Sequence, residues 1–349
     1  MNDKQGQVPE TPAAQEPQPI KSGKSNLPKQ IISALIAIVL LYLAFHNVDP
    51  QKLWQYSKDV APLPIFLTVA SALMSHVLRA YRWTILLKPV AGRQIGLFNS
   101  FYAVILGYAV NVAIPRGGEV ARLLSISKDE KLPWAGVLPT MLIDRMLDMA
   151  FLVFLLGSCL LILPKDLLAS MPQLIPGGIA MLVATLLGLI LLPFVGSILK
   201  TIINMDVIKT KLPDRLTSKL AEIAEQFETG TKALKSPVAY PLIAVLSFFI
   251  WLCYWLNFYF MLQGFKLDKV VDALNCLIVF TIGSLGVLIP TPGSAGGFHI
   301  LCAQAMTKVA PSIPYEQALA YATVLHVLTF VLCNCIPAAL LFLYRKTKK

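Results

Sequence analysis

Charged side chains are scarce in this sequence. Only 14% of its 349 residues are Asp, Glu, Lys or Arg, against roughly 25% in an ordinary soluble domain. That shortage excludes a soluble enzyme of two conventional domains. The 56% hydrophobic content excludes a disordered chain, which cannot carry so much apolar surface. Ten-residue segments of alternating polarity are lacking as well, which excludes an outer-membrane barrel. Cysteines number six, all inside apolar stretches. The closest two, Cys333 and Cys335, point to different faces of a helix. The sequence therefore offers no disulfide framework and no metal-ligating cluster, and no metal or cofactor is expected. Acids are outnumbered, 19 against 30 Lys and Arg, for a net charge of +11. The basic residues lie in short segments between apolar runs, the habit of cytoplasmic loops, and so point to membrane topology and not to nucleic acid.

What is present is a series of long apolar runs: Ile31–Phe45, Ile65–Leu87, Leu97–Ile114, Met146–Leu163, Ile175–Leu199, Val238–Leu262, Val270–Ile289 and Ala318–Tyr344. Each approaches or reaches the length that crosses a ~30 Å hydrocarbon core at ~1.5 Å per residue. The mean hydropathy of +0.67 agrees. The expected fold class is all-α, a polytopic membrane protein. Residues 1–27 read as a polar, proline-containing disordered cytoplasmic tail. Residues 28–345 form one transmembrane domain, and 346–349 a basic cytoplasmic end. Within the domain, segment 201–236 turns polar, with Leu212, Leu216, Leu220, Ile223 and Phe227 at helical spacing. It is an amphipathic helix, lying either on the membrane surface or on its own protein.

Both ends are basic, so both are expected in the cytoplasm, and an even number of full crossings must join them. Two stretches then begin and end on one side. Residues 97–132 start and finish inside, with a break at Pro115-Arg-Gly-Gly118. Residues 270–309 start and finish outside, with a break at Ile289-Pro-Thr-Pro-Gly-Ser-Ala-Gly-Gly297. Irregular backbone at depth is tolerated only inside protein or beside a water-filled cavity. The expectation is about six full transmembrane helices plus two re-entrant helical hairpins. Broken segments entering from opposite faces are the pattern of an inverted repeat, although the halves share no sequence similarity beyond it.

Ionisable groups inside membrane segments cost about 2.5–3.5 kcal/mol each and need partners or a task. The first hairpin carries Arg116, Glu119 and Arg122 at three-residue spacing, and the following helix carries Asp144, Arg145 and Asp148. These three bases and three acids form a set that neutralises itself. Arg79 and Arg82 sit three apart in an earlier helix with no acid near them in sequence. They either meet an anionic headgroup, since Arg matches phosphate bidentately, or snorkel to the interface. Asn111 precedes the first break and His299 follows the second. If the breaks meet, both face one cavity, where His299 is either a proton-linked or phosphate-contacting group or a neutral buried imidazole.

The ordered set Arg79-x-x-Arg82-Trp83, Asn111-x-x-x-Pro115-Arg-Gly-Gly-Glu119-x-x-Arg122, Asp144-Arg145-x-x-Asp148 and Pro290-Thr-Pro-Gly-Ser-Ala-Gly-Gly297 resembles the lysylphosphatidylglycerol synthase transmembrane-region family, also described as flippase-like integral membrane proteins. The resemblance covers about residues 30–345. It implies movement of lipids between leaflets. The family's aminoacyltransferase chemistry belongs to a separate C-terminal domain, expected to be absent because this chain stops four residues after Arg345.

The expected function is thus non-enzymatic: binding and translocation of an anionic phospholipid or polyprenyl-phosphate-linked lipid across a bacterial inner membrane. The expected substrate-binding residues are Arg79, Arg82, Asn111, Arg116, Glu119, Arg122, Arg145, Asp148 and His299. An intramembrane glycosyl- or phospho-transfer enzyme, and a non-transporting scaffold for a separate lipid-modifying enzyme, are the competing classes. The hairpin assignment predicts that Lys88→Cys and Lys131→Cys label from the same side of the membrane. Labelling from opposite sides would remove the first hairpin.

Overall fold

A computed structural model describes residues 27–163, 168–169, 171–205, 213–232 and 239–347. Residues 1–26 of the expected tail 1–27, position Leu212 and the final Lys348 and Lys349 lie outside the described residues. Within them every regular element is helical. Helix α1 (Leu27–Phe45) is followed by a short α2 (Pro50–Lys58), turned 85° away from it. Asp49 caps α2, its carboxylate accepting from Gln51 N at 2.8 Å, and Pro50 fits the first turn, where no N–H partner is needed. Helix α3 (Pro62–Ala91) runs 30 residues and stops at Gly92, whose left-handed φ of +64° closes the last turn. Helices α4 (Leu97–Ala113) and α5 (Gly117–Glu130) form the first hairpin, and α6 (Trp134–Leu160) follows. Helix α7 (Leu174–Leu191) continues through a tight turn at Pro193 into α8 (Val195–Ile203). The amphipathic α9 (Asp214–Thr231) leads to α10 (Ala239–Gly264). Helices α11 (Ala273–Gly286) and α12 (Gly297–Val309) form the second hairpin. The chain ends in α13 (Tyr315–His326), a π-helical turn (Val327–Leu332) and α14 (Cys333–Thr347).

Among the described residues, four stretches are long and apolar enough to cross a membrane: Pro62–Ala91, Leu174–Ile203, Ala239–Gly264 and Tyr315–Thr347. The bent α1–α2 pair makes a fifth. The remaining expected crossing, α6, has 27 residues but carries Asp144, Arg145 and Asp148. The amphipathic segment packs on its own protein. Gly230 sits against the Gly136 backbone of α6, and Gly196 of α8 sits against Ala224 and Glu228.

Both hairpins fold at the anticipated breaks. The first is clasped at its open end, where Glu130 closing α5 accepts from Arg93 and Asn99 just before and inside α4, each at 2.7 Å. Both ends of this hairpin therefore lie on one side. The second hairpin brings its two ends, Val271 and Ala310, into one buried cluster. The same device lets each pair of helices touch backbone to backbone. Gly118 lies on Gly107, and Gly297 lies on Gly286, so closely that a Cβ on Gly118 or Gly286 would overlap the partner's main chain.

These contacts expose a repeat that residue identities hide. A shift of 179 residues carries Gly107 onto Gly286 and Gly118 onto Gly297, and it carries α3, α4, α5 and α6 onto α10, α11, α12 and the α13–α14 pair. The two units run in opposite directions. Ala61 N bonds Gly264 O at 3.2 Å, Ser71 Oγ bonds Cys253 O at 2.9 Å, and Arg82 Nη1 bonds Ser247 Oγ at 2.8 Å. As α3 advances, its partner residue on α10 retreats, so equivalent helices are antiparallel. That is the inverted-repeat arrangement of many transporters. The breaks of the two hairpins meet, Gly293 of the second lying against Val112 at the end of α4.

Overpacking a closed glycine contact costs roughly 1–3 kcal/mol. Gly118→Ala and Gly297→Ala should therefore each lower the unfolding midpoint of the purified protein. Gly157→Ala, where the added methyl meets nothing within 4 Å, should not. Equal midpoints for all three would show that the hairpins do not close on these glycines.

Candidate functional site

Three helices, α3, α5 and α6, bring the charged residues together, and α10 packs polar side chains against them. Arg82 is nine residues from the end of α3 at Ala91, and Asp144 ten residues from the start of α6 at Trp134. At ~1.5 Å per residue both lie about 14–15 Å from those helix ends, half the thickness of a ~30 Å hydrocarbon core.

Asp144 is fully buried and is the centre of the site. Its Oδ2 accepts from Arg79 at 3.2 Å and Arg122 at 2.9 Å, and its Oδ1 from Arg82 at 2.7 Å. Asp148, one turn on, accepts from Arg79 at 2.6 Å and Arg82 at 2.7 Å. A second pair borders this core: Arg145 bonds Glu119 at 2.7 Å. Two residues of α10 complete the shell, with Ser247 Oγ accepting from Arg82 at 2.8 Å and Tyr254 Oη from Arg79 at 3.0 Å. The Arg122 guanidinium lies 3.8 Å over the Trp83 ring, a cation–π contact. Trp83 is held in turn by its Nε1–H donating to Thr140 Oγ1 at 3.0 Å.

This placement corrects two expectations. Arg79 and Arg82 do not snorkel; they are 2% and 0% exposed and share the acids of α6. The self-neutralising set of six is not the one formed, because Arg116 stands outside it. Arg116 caps α5 with φ +59°, out of helical register with Glu119 and Arg122, and it is exposed at the hairpin's tip. Asn111 accepts from Gly118 N at 2.8 Å and pins the start of α5. His299 is not among the residues that line the crevice beside Asn111. It is buried at the second break, its Nδ1 accepting from Gly296 N at 3.3 Å, with its ring 4.6 Å from that of His326. His326 Nε2 donates to Gly293 O at 2.7 Å, which fixes the second break to the last helix.

A narrow crevice beside the cluster, too tight in this conformation to admit a water molecule, is lined by Val104, Gly107, Tyr108, Asn111, Gly118, Glu119, Arg122 and Arg145. Three buried guanidinium nitrogens of its lining arginines have no hydrogen-bond partner: Nε and Nη2 of Arg122 and Nε of Arg145. Arg79 Nε in the same cluster is unpartnered too, and since buried donors are nearly always satisfied, the cluster has donor capacity to spare for an acceptor. The sequence identified Asp144 but not Tyr108, Ser247 or Tyr254. Their helices are apolar throughout, and nothing in their spacing separates a site residue from a packing residue.

Removing one partner of a buried ion pair costs about 3–5 kcal/mol, because the other charge is left uncompensated. Asp144→Ala leaves Arg122 without its acid and Arg79 and Arg82 with Asp148 alone, and should abolish recovery of folded protein. Lys52→Ala breaks only the half-exposed pair with Glu316 and should leave recovery unchanged. Normal yield of Asp144→Ala would contradict the cluster's structural role.

Residues 30–336 match the family described as the lysylphosphatidylglycerol synthase TM region. Among curated proteins, the UPF0104 membrane protein MJ1595 of Methanocaldococcus jannaschii is 24% identical over 328 residues, covering 88% of this chain and 94% of that protein. No solved structure matches the chain.

Proposed function

The chain belongs to the lysylphosphatidylglycerol synthase transmembrane-region family of integral membrane proteins, and on that premise we propose that it binds the anionic headgroup of a lipid in the crevice between α4, α5 and α6 and carries it between leaflets. The observation that carries this reading is the set of three unpartnered, buried guanidinium nitrogens at membrane depth. A guanidinium there is costly, and a phosphate oxygen is the acceptor it matches best. Asp144 and Asp148 hold the arginines in position, and Arg122 and Arg145 present the free donors.

Arg116 supplies the next cation along the path. It lies six residues before Arg122 on the same hairpin arm, about 9 Å away at helical rise, with no acid bonded to it among the described residues. A headgroup leaving Arg122 toward the hairpin's tip meets it there. The crevice is too tight to admit even a water molecule, so both binding and passage require the first hairpin to separate from α6.

We place the protein in a bacterial inner membrane with both termini in the cytoplasm, as the basic ends suggest. The reading is one of transport, not catalysis. Both carboxylates of α6 are committed to arginines, which leaves neither as a free base.

Vesicles holding the purified protein should move fluorescent anionic phospholipid between leaflets. Arg122→Ala and Arg116→Ala should each slow that movement at least about tenfold, a loss of roughly 1.4 kcal/mol of stabilisation. Unchanged rates in both variants would remove this site from the account. Mg²⁺-dependent turnover of labelled lipid that disappears in Asp148→Asn would replace transport with catalysis.

A further inference from the structure

One buried titratable side chain beside the arginine cluster has no bond to it. His76 stands midway along α3 and is 6% exposed, yet neither of its ring nitrogens has a hydrogen-bond partner. A neutral imidazole carries one N–H and one lone pair, so a donor and an acceptor both lie idle here. The side chain set beside it is Asn334, in the first turn of α14. Asn334 gives its amide nitrogen to carbonyl oxygens of the π-helical turn, Phe330 O at 2.7 Å and Thr329 O at 3.4 Å. Its Oδ1 is buried and unpartnered. A base and an unused acceptor thus meet inside the protein, next to a kind of helical irregularity that often marks functional sites.

The groups around His76 connect it to the cluster. Arg79 follows one turn later on α3 and is bonded to Asp144 and Asp148 of α6 and to Tyr254 of α10. Tyr108 of α4 sets its ring 5.0 Å from the imidazole, and the guanidinium groups of Arg79 and Arg145 lie 5.9 Å and 6.0 Å from that same ring. The π-helical turn holds no titratable side chain, and α14 offers Asn334 between the thiols Cys333 and Cys335. Among the described residues no carboxylate bonds His76. Tyr108 also lines the crevice, so one aromatic ring stands between the imidazole and the arginines that face the crevice.

Resting on the lipid-binding reading above, we propose that His76 and Asn334 form a proton site coupled across Tyr108 to the anion held by Arg122 and Arg145, so that headgroup and proton are taken up together. A proton from solvent bonds to the lone pair of the bare ring nitrogen. The ring then has two N–H donors, and Asn334 Oδ1 accepts from one of them; no other bond breaks. Without an anion, this charge adds to a cluster in which Arg79, Arg82, Arg122 and Arg145 already outnumber Glu119, Asp144 and Asp148. With an anion in the crevice, the two incoming charges are opposite and near each other. Each then strengthens binding of the other by the same factor. Movement of the lipid is thereby tied to a proton gradient.

The test is calorimetric titration of the full chain in lipid-free detergent with dioctanoyl phosphatidylglycerol, whose phosphodiester does not itself titrate near neutrality. Repeating it in buffers of different ionisation enthalpy gives the protons taken up with each lipid. Binding should tighten at least about threefold between about pH 7.5 and about pH 5.5, the span in which an imidazole gains its proton. Net uptake should approach, without exceeding, about one proton per lipid. His76→Gln should bind as the wild type does at the higher pH and lose both the tightening and the uptake, a split that a merely structural role would not produce. Asn334→Leu keeps the imidazole, removes its acceptor and should lessen both effects; it also serves should His76→Gln not fold. A pH-independent affinity without proton uptake in the wild type, or uptake undiminished in His76→Gln, overturns the proton site and leaves the lipid-binding reading standing. Failure of the wild type to bind the lipid at either pH defeats that reading as well.

Discussion

The structure turns on the cost of placing charge inside a bilayer. Seven ionised side chains from three helices, α3, α5 and α6, meet in one cluster, and its core is shut off from the hydration such groups have at a surface. Asp144 makes the assembly tolerable because one carboxylate reaches arginines from α3 and α5 at once. The constraint runs both ways. The arginines hold the acid ionised, and the acid holds α3, α5 and α6 at fixed separations. Buried ion pairs are weak contributors to net stability but strongly penalise any arrangement that separates them. The cluster therefore specifies which helices are neighbours more than it strengthens the fold.

The second constraint is geometric. Two helices of 17 and 14 residues can share one hairpin inside a membrane only if their backbones approach closely enough to seal irregular turns against protein. Glycine at Gly107 and Gly118, and again at Gly286 and Gly297, permits that approach. The two hairpins are equivalent in architecture but not in chemistry. The shift of 179 residues places Arg79, Arg82 and Asp144 opposite Phe258, Met261 and Thr323. One unit carries the charge; the other carries a packed pair of imidazoles, His299 and His326, at its break. The inverted scaffold thus carries a one-sided charged cluster.

The sequence discloses the parts of this architecture that act locally. Proline and glycine break helices where they stand, so both hairpin turns were visible at Pro115–Gly118 and at Ile289–Gly297. Apolar runs report burial or lipid contact residue by residue, so the long helices were visible as well. Partnership over distance was not. Arg79 and Arg82 read as cations without acids because their acids lie 62 to 69 residues further on, in another helix. Arg116 read as one face with Glu119 and Arg122 because three-residue spacing assumes helical backbone, and its left-handed φ breaks that register. The repeat showed in the sequence only as two broken segments, because it is conserved in helix lengths and glycine contacts, not in side chains. Tyr254 was invisible because one aromatic among Trp251, Trp255 and Tyr259 carries no mark of the arginine it faces.

The central claim is that the free edge of Arg122 holds a lipid phosphate at membrane depth. The direct measurement is dipolar recoupling between ¹⁵N-labelled arginine and ³¹P in proteoliposomes of phosphatidylglycerol. The account predicts a phosphorus within hydrogen-bonding range of guanidinium nitrogens that vanishes in Arg122→Gln. A signal unchanged by that substitution, arising only from arginines at the membrane surface, would contradict it.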